Sequence, residues 1–290
     1  MDSTPSQAAR RAGNTGPEPD VRSVIDILRD RLAGIGSTDS RGFDKELNDR
    51  VFMAALRPLA ESWFRIQIRG IDNIPAHGPA LLAGNHSGAI AIDALMTQLA
   101  VFDHHPQHRH VHMLAADLVF ETPVLGDIAR AAGHAQASHD EAARLLAADR
   151  LVGVWPEGFK GVGKTWSRRY QLQQFGRGGF VAVAALAKVP IIPVAIVGAE
   201  EAYPMIANIS ALADLFHLPY FPLTPTWPLL GPLGMVPLPS KWIIEFGTPI
   251  PVSDLPDPYD EMAVLDKSHE IRNLIQGMVD RLLVERGSAF

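Results

Sequence analysis

From residue 64 onward the chain repeats one pattern: a short apolar run of strand length, a break at glycine, proline or a polar cluster, then a stretch with helical spacing. Phe64-Arg-Ile-Gln-Ile-Arg69 alternates with period two, and further strand-like runs fall at 80–83, 110–114, 151–154, 191–197 and 242–246. Helical patterns occupy 94–101, 122–132, 139–148, 180–187 and 261–284. Strands that alternate with helices are joined by crossovers, and crossovers make parallel neighbours. The pattern predicts an α/β fold: a largely parallel mixed sheet flanked by helices. In such a sheet ligands meet the loops that follow the carboxyl ends of the strands, so functional residues are sought there.

The flanks differ in character. Residues 1–20 are rich in Pro, Gly, Ser and Ala and read as a disordered tail without the apolar core of a signal peptide. An N-terminal helical segment, 21–63, follows: a short helix at 21–32, a linker (GIGSTDSRG), and an amphipathic stretch at 47–63 with Leu47, Val51, Ala54, Ala55 and Leu59 at helical spacing. The α/β domain then occupies 64–290 and carries a Pro-rich apolar insertion at 205–241, uncharged between Asp214 and Lys241. Proline forbids a continuous helix here. The segment either folds back over the core or shows its apolar side chains to a lipid or hydrophobic substrate. The weakly charged run 178–199 contains Lys188, Pro190 and Pro193, so it reads as a buried helix entering a strand rather than a membrane span. Its Val189-Pro-Ile-Ile-Pro193 segment should sit at an edge, a bulge or a one-sided pairing, because proline donates nothing to a ladder. A cytoplasmic protein, peripheral on the inner face of the cell membrane, is the resulting expectation.

The formal charge of −6 gives no reason to expect a nucleic acid partner, and the absence of cysteine excludes disulfides, Cys-ligated metal and a thiol nucleophile. That average hides a region without Asp or Glu, 158–199, which holds Lys160, Lys164, Arg168, Arg169, Arg177 and Lys188. A cationic stretch in an acidic chain marks either a solvated basic face or an anionic ligand.

Two loops are placed for chemistry. Gly84-Asn85-His86-Ser87-Gly88, followed by Asp93, comes directly after an apolar strand. A histidine there suits proton transfer, with a neighbouring carboxylate to fix its tautomer and balance the imidazolium. Trp155-Pro156-Glu157-Gly158-Phe159-Lys160 follows a second apolar strand and opens the cationic stretch. Residues 158–165 also satisfy the P-loop pattern, which gives a rival reading as a nucleotide-binding protein. Against it, Gly176, Gly178 and Gly179 interrupt the helix a P-loop needs, and no strand ending in Asp follows to hold magnesium. His104, His105, His108, His110 and His112 crowd one segment; alternation puts the last three on one strand face, which reads as an exposed polar edge rather than a metal site.

Taken together these blocks resemble the glycerolipid and lysophospholipid acyltransferase family, which includes the acylglycerol-phosphate acyltransferases. The first block matches at Asn85-His86 to Asp93, the third at Trp155-Pro-Glu-Gly-Phe-Lys160, the fourth at Val189-Pro-Ile-Ile-Pro193, and a looser second block falls in 116–135, with Pro123, Gly126 and Gly133. The match spans roughly 64–250. The resemblance implies an acyltransferase-like fold and an O-acyltransferase in which His86 takes the proton of the acceptor hydroxyl and Asp93 orients His86. Glu157 and Gly158 would shape the acceptor pocket. Lys160, with Lys164, Arg168, Arg169 and Arg177, would bind an anionic substrate. Acyl-CoA or acyl carrier protein would be the donor, a lipid such as 1-acylglycerol-3-phosphate the acceptor and the membrane surface a partner, with no separate cofactor and no metal.

This sequence departs from that pattern in two places. Six residues, rather than four, separate His86 from Asp93. One continuous helix would hold them roughly 10 Å apart along its axis, so a compact loop is required, with 87–89 its natural place. Lys160 stands where the family has arginine and offers a point charge in place of a bidentate fork. Both departures resemble the branch that acylates mono- or diacylglycerol.

Overall fold

A computed structural model describes residues 21–88, 90–215, 218–255 and 257–290. The tail expected at 1–20 lies outside the described residues. The chain forms two units, one ending at Gly36 and the other running from Ser37 to Phe290. The described part of the first is the helix Val21–Leu32 with the turn after it. All that follows concerns the second.

Seven strands make the main sheet: β1 (Gln67–Arg69), β2 (Ala80–Gly84), β3 (Val111–Ala115), β4 (Ala135–Gln136), β5 (Leu151–Val154), β6 (Ile191–Val197) and, after a small β7–β8 ribbon (Ala207–Asn208 with Pro222–Leu223), β9 (Ile243–Phe246). Their order is β1-β9-β6-β2-β5-β3-β4. The run from β6 to β4 is parallel throughout. β9 pairs antiparallel with β6 and parallel with β1, so one edge runs the opposite way. The result is the mostly parallel sheet flanked by helices that the strand–helix alternation predicts.

The central strands are buried on both faces, as strands covered by crossover helices must be. Successive residues serve opposite layers. Leu82, Ile192 and Val194 pack with Met96 and Leu99 of the helix Ile92–His104 and with Phe64 stacked on Trp242 at 4.5 Å. Leu81, Ile191 and Ala195 pack with Val181 of Gly179–Ala187 and with Ile271, Ile275 and Val279 of the long helix Glu261–Arg286.

Three local expectations are corrected. The stretch at 47–63 is not a uniform α-helix: it alternates α and π turns as Lys45–Leu47, Asn48–Phe52, Met53–Pro58 and Leu59–Trp63, with Pro58 removing one backbone donor. The helix expected at 122–132 divides into Asp117–Glu121 and Leu125–Ala131 around Val124, whose φ is +67°. Of the two prolines only Pro193 lies in β6, and β6 is inside the sheet, so the edge alternative is corrected while at Pro193 itself the ladder runs on the β2 side. Pro193 needs no donor towards β9 because pairing there lapses between Phe246 and Ile250, where Gly247 N–H donates to the Pro193 carbonyl at 2.8 Å.

The insertion at 205–241 belongs to the connection that leaves β6 and returns as β9; its backbone folds back over the core while some of its apolar side chains stay exposed. Trp63 Nε1 donates to the Pro237 carbonyl, Tyr203 Oη to Met235 and Leu238 N–H to Ala202, each at 2.9 Å, so the segment is fastened to the core. Yet Leu229 is 84% exposed and Leu233 73%. No helix among the described residues is long and apolar enough to cross a membrane.

Candidate active site

β2 delivers His86 to the carboxyl edge of the sheet, and the residue before it fixes how it arrives. The Asn85 side chain imitates a strand backbone towards β6: its Nδ2 donates to the Ile196 carbonyl at 2.9 Å and its Oδ1 accepts from Ile196 N–H at 2.7 Å. The chain then turns through a loop before Ile92–His104 begins, and Asp93 falls on the first turn of that helix. His86 Nδ1 lies 2.8 Å from Asp93 Oδ2. The loop required by the six-residue spacing is present, although Ala89 within it lies outside the described residues.

Asp93 is fully buried. Besides His86, its Oδ2 accepts from Ser87 N–H at 2.9 Å, and its Oδ1 accepts from Ala94 N–H at 2.9 Å. A buried carboxylate held by two backbone donors is a fixed acceptor for the imidazole. With Nδ1–H given to Asp93, Nε2 is the basic nitrogen left to take a proton. The His86 side chain keeps 13% of its surface exposed.

Glu157 holds His86 from the other side. Its carboxylate is buried: Oε1 accepts the His86 backbone N–H at 2.8 Å, while Oε2 accepts from Gln173 N–H at 2.7 Å and Lys164 Nζ at 3.3 Å. Gly158 has φ +54° and ψ −142°, a combination that side chains avoid. At Gly161 a Cβ would stand 2.7 Å from the His86 Cβ and 2.8 Å from that of Glu157, so the short helix Phe159–Val162 rests directly on the site. Both Glu157 oxygens are thus engaged by protein donors, one of them the backbone N–H of His86.

The cations divide. Lys164 is buried, and its ammonium lies 3.1 Å from Glu200 as well as beside Glu157. Burial opposes its charge, but the two carboxylates outweigh burial and hold its pKa above the ordinary lysine value. The expectation that Lys164 meets a substrate anion is corrected: it is committed to protein carboxylates, because the turn at 163–165 directs it inward. The same fact removes the P-loop reading, whose lysine must face phosphate and whose helix must start there; Phe159–Val162 ends before it. By contrast Lys160, Arg168 and Arg177 are exposed and make no ion pair with any described residue, and the Arg169 guanidinium lies 4.3 Å over the Trp166 ring.

Glu200 and Gln173 are the site residues that sequence reasoning missed. Glu200 is the first acid after the cationic stretch, and that position was the only available signal. Beside it, Glu201 accepts from the Tyr170 hydroxyl and pairs with Arg286 at 2.7 Å, tying the end of the last helix to the same loop. From the insertion, Tyr220 reaches the site: a Cβ on Gly163 would meet its ring at 3.9 Å, and burial, helped by the charge of Asp93, pushes its hydroxyl up to about 12.

The histidine cluster is dispersed. His110 pairs with Asp49 at 2.6 Å, His105 Nε2 lies 3.2 Å from the Ile74 carbonyl, and His112 is buried on β3, not exposed on an edge. No group of three or more His, Asp or Glu among the described residues is arranged to hold a metal ion.

A family model described as Acyltransferase matches residues 65–197, the span from β1 to the end of β6. An uncharacterized protein of Mycobacterium tuberculosis is 48% identical over 272 residues, 93% of this chain and 76% of that protein. This chain belongs to the acyltransferase family. The human protein named DGAT1/2-independent enzyme synthesizing storage lipids is 25% identical over 77% of this chain and 63% of its own length. In fold, the acyltransferase is similar to the 1-acyl-sn-glycerophosphate acyltransferase PlsC of Thermotoga maritima. The TM-score is 0.54 at 16% identity, over 90% of this chain and 89% of that one.

Two outcomes follow from these placements. Lys164→Met leaves two buried carboxylates without their cation, so urea denaturation should show a loss of about 3–5 kcal/mol, and Lys164→Arg should recover part of it. Burial, reinforced by Arg150, lowers His112 from 6.5 to about 4. The unfolded chain then binds the extra proton between those values, so the stability His112 contributes falls as pH drops through that window, by up to about 3 kcal/mol. Unfolding midpoints measured from pH 7 to 4 should be less steep in His112→Asn by about one proton.

Proposed function

We propose that this acyltransferase moves a fatty acyl group from a thioester, acyl-CoA or acyl carrier protein, onto the hydroxyl of a glycerolipid acceptor, with His86 as general base. The observation that carries the reading is the 2.8 Å contact between His86 Nδ1 and a fully buried Asp93, with Nε2 left to act. Nε2 takes the acceptor's hydroxyl proton as its oxygen attacks the thioester carbonyl. Asp93 balances the imidazolium. The tetrahedral intermediate collapses by breaking the carbon–sulfur bond, and the departing thiolate recovers the proton from His86. An ester and a free thiol result, and no cofactor is consumed.

Lys160, Arg168, Arg169 and Arg177 supply the positive charge that receives the anionic part of the donor or of a lysophospholipid such as 1-acylglycerol-3-phosphate. On this reading the protein serves phospholipid or glycerolipid biosynthesis as a peripheral protein at the inner face of the cell membrane. A second reading gives it a neutral acceptor, mono- or diacylglycerol. Lys160 in place of arginine favours it, since a lysine cannot make the bidentate phosphate contact. So does the human relative whose name concerns storage-lipid synthesis.

Thiol release from acyl-CoA, with glycerol-3-phosphate, lysophosphatidic acid, lysophospholipids and mono- and diacylglycerol as acceptors, tests both readings. His86→Ala should lower turnover at least ~10²-fold with an unchanged circular dichroism spectrum, and activity within a few-fold of wild type would remove the general-base assignment. Lys160→Ala should raise KM for a phosphate-bearing acceptor while leaving kcat near wild type. An effect on kcat alone would give Lys160 another role, and a higher kcat/KM for mono- or diacylglycerol than for the phosphate-bearing acceptors in the wild type would select the neutral class.

A further inference from the structure

Strands β2, β5 and β6 are parallel, so the chain leaves all three at one edge of the sheet, the edge to which β2 brings His86. β9 runs the other way, so the connection from β6 to β9 also starts and finishes there. Large apolar side chains are exposed along these connections: Ile90 after β2, Phe159 and Trp166 after β5, and Leu229, Leu230 and Leu233 in the connection to β9.

The leucines are displayed on a pinned turn. Gly231–Met235 forms a 3-10 turn in which Gly234 is buried so tightly that a Cβ would stand 2.4 Å from the Thr226 carbonyl oxygen. Thr226 Oγ1 donates to the Gly234 carbonyl at 3.1 Å, and the fastenings from Trp63 and Tyr203 grip the next residues, Pro237 and Met235. A segment serving only as a cover would turn its leucines inward; this one holds its backbone down and its leucines out.

Charge says what they meet. The connection after β5 carries the exposed Lys160, Arg168, Arg169 and Arg177, and Arg169 lies over the exposed Trp166, a pairing suited to the boundary between water and lipid. The exposed acids Asp117, Glu121 and Asp127 follow β3, towards the β4 end of the sheet. Val124, Leu125 and Ile128 are exposed after β3 as well, but among those acids; exposed apolar and cationic side chains coincide on the connections that follow β5 and β6. Two copies of the protein meeting face to face there would oppose these cations to one another and close the approach to His86.

We infer that this edge docks on a bilayer containing anionic lipid, with Leu229, Leu230 and Leu233 entering the acyl layer and the four cations meeting headgroups. The use of that surface rests on the lipid-acyltransfer reading; its existence does not. Docked this way, His86 faces the layer that holds a lipid acceptor.

The full chain should co-sediment with phosphatidylcholine vesicles that contain phosphatidylglycerol, less with phosphatidylcholine alone, and less again as NaCl is raised. The combined variant Leu229→Ser, Leu230→Ser, Leu233→Ser should keep the wild-type unfolding midpoint, lose at least ~5-fold of its vesicle binding, and keep turnover on a short-chain monomeric acceptor while losing it on one embedded in vesicles. Equal sedimentation of variant and wild type would overturn the proposal, as would a wild type that ignores both kinds of vesicle. A dimer in light scattering that the triple variant converts to monomer would assign the face to a second copy. A wild type that docks but releases no thiol from any acyl donor would leave the docking standing and remove the acyl-transfer reading.

Discussion

A carboxylate with no access to water has to find its donors within the protein, and Asp93 finds three: His86 Nδ1, Ser87 N–H and Ala94 N–H. Two lie on the loop between β2 and its following helix and one on the helix itself. The same hydrogen bonds that satisfy Asp93 therefore set the path of that loop and the orientation of the imidazole. The longer spacing between His86 and Asp93 is accommodated because the loop wraps around the carboxylate instead of extending the helix. An uncompensated charge there would be too expensive for the fold to retain.

Glu157 repeats the principle on the main chain. It accepts the His86 N–H, so the backbone and side chain of one residue are held by two different buried carboxylates. Glu157 in turn needs a cation, which Lys164 supplies, and Lys164 needs the second carboxylate of Glu200 to remain charged at that depth. Elements following three adjacent strands, β2, β5 and β6, are joined at His86 in this way. Such a network restricts the site geometrically, and it explains why a glycine is needed at 161, where the helix carrying it must come within van der Waals contact of His86.

What the sequence made legible follows from what each element needs. The central strands are apolar on both faces, so 80–83, 151–154 and 191–197 stand out as continuous runs; β4, with two residues, and the β7–β8 ribbon are too short to carry any period. The contact between His86 and Asp93 was readable because it is local: both lie in one loop and its helix. Lys164 was not, because a lysine in a cationic stretch looks the same whether it faces solvent or a carboxylate that arrives through folding from Glu200, beyond the next helix and strand. His112 was misplaced for a related reason. Alternation assigns a face to a strand residue, but what covers this face of β3 arrives through folding: the Phe43 ring lies 5.2 Å from that of His112, and Gly133 packs beside both.

The division among the cations bears on how one loop can both build a site and present it. The short helix after β5 leaves Lys160 outside, and the turn that follows it points Lys164, four residues on, into the protein. Burying both would add the desolvation cost of a second ammonium where Lys164 already serves both Glu157 and Glu200. Exposing both would leave Glu157 without a counter-charge and loosen its hold on His86. One cation inside and the rest outside meets both demands: Glu157 keeps its counter-charge, and the connection after β5 keeps exposed positive charge within a chain that is acidic overall.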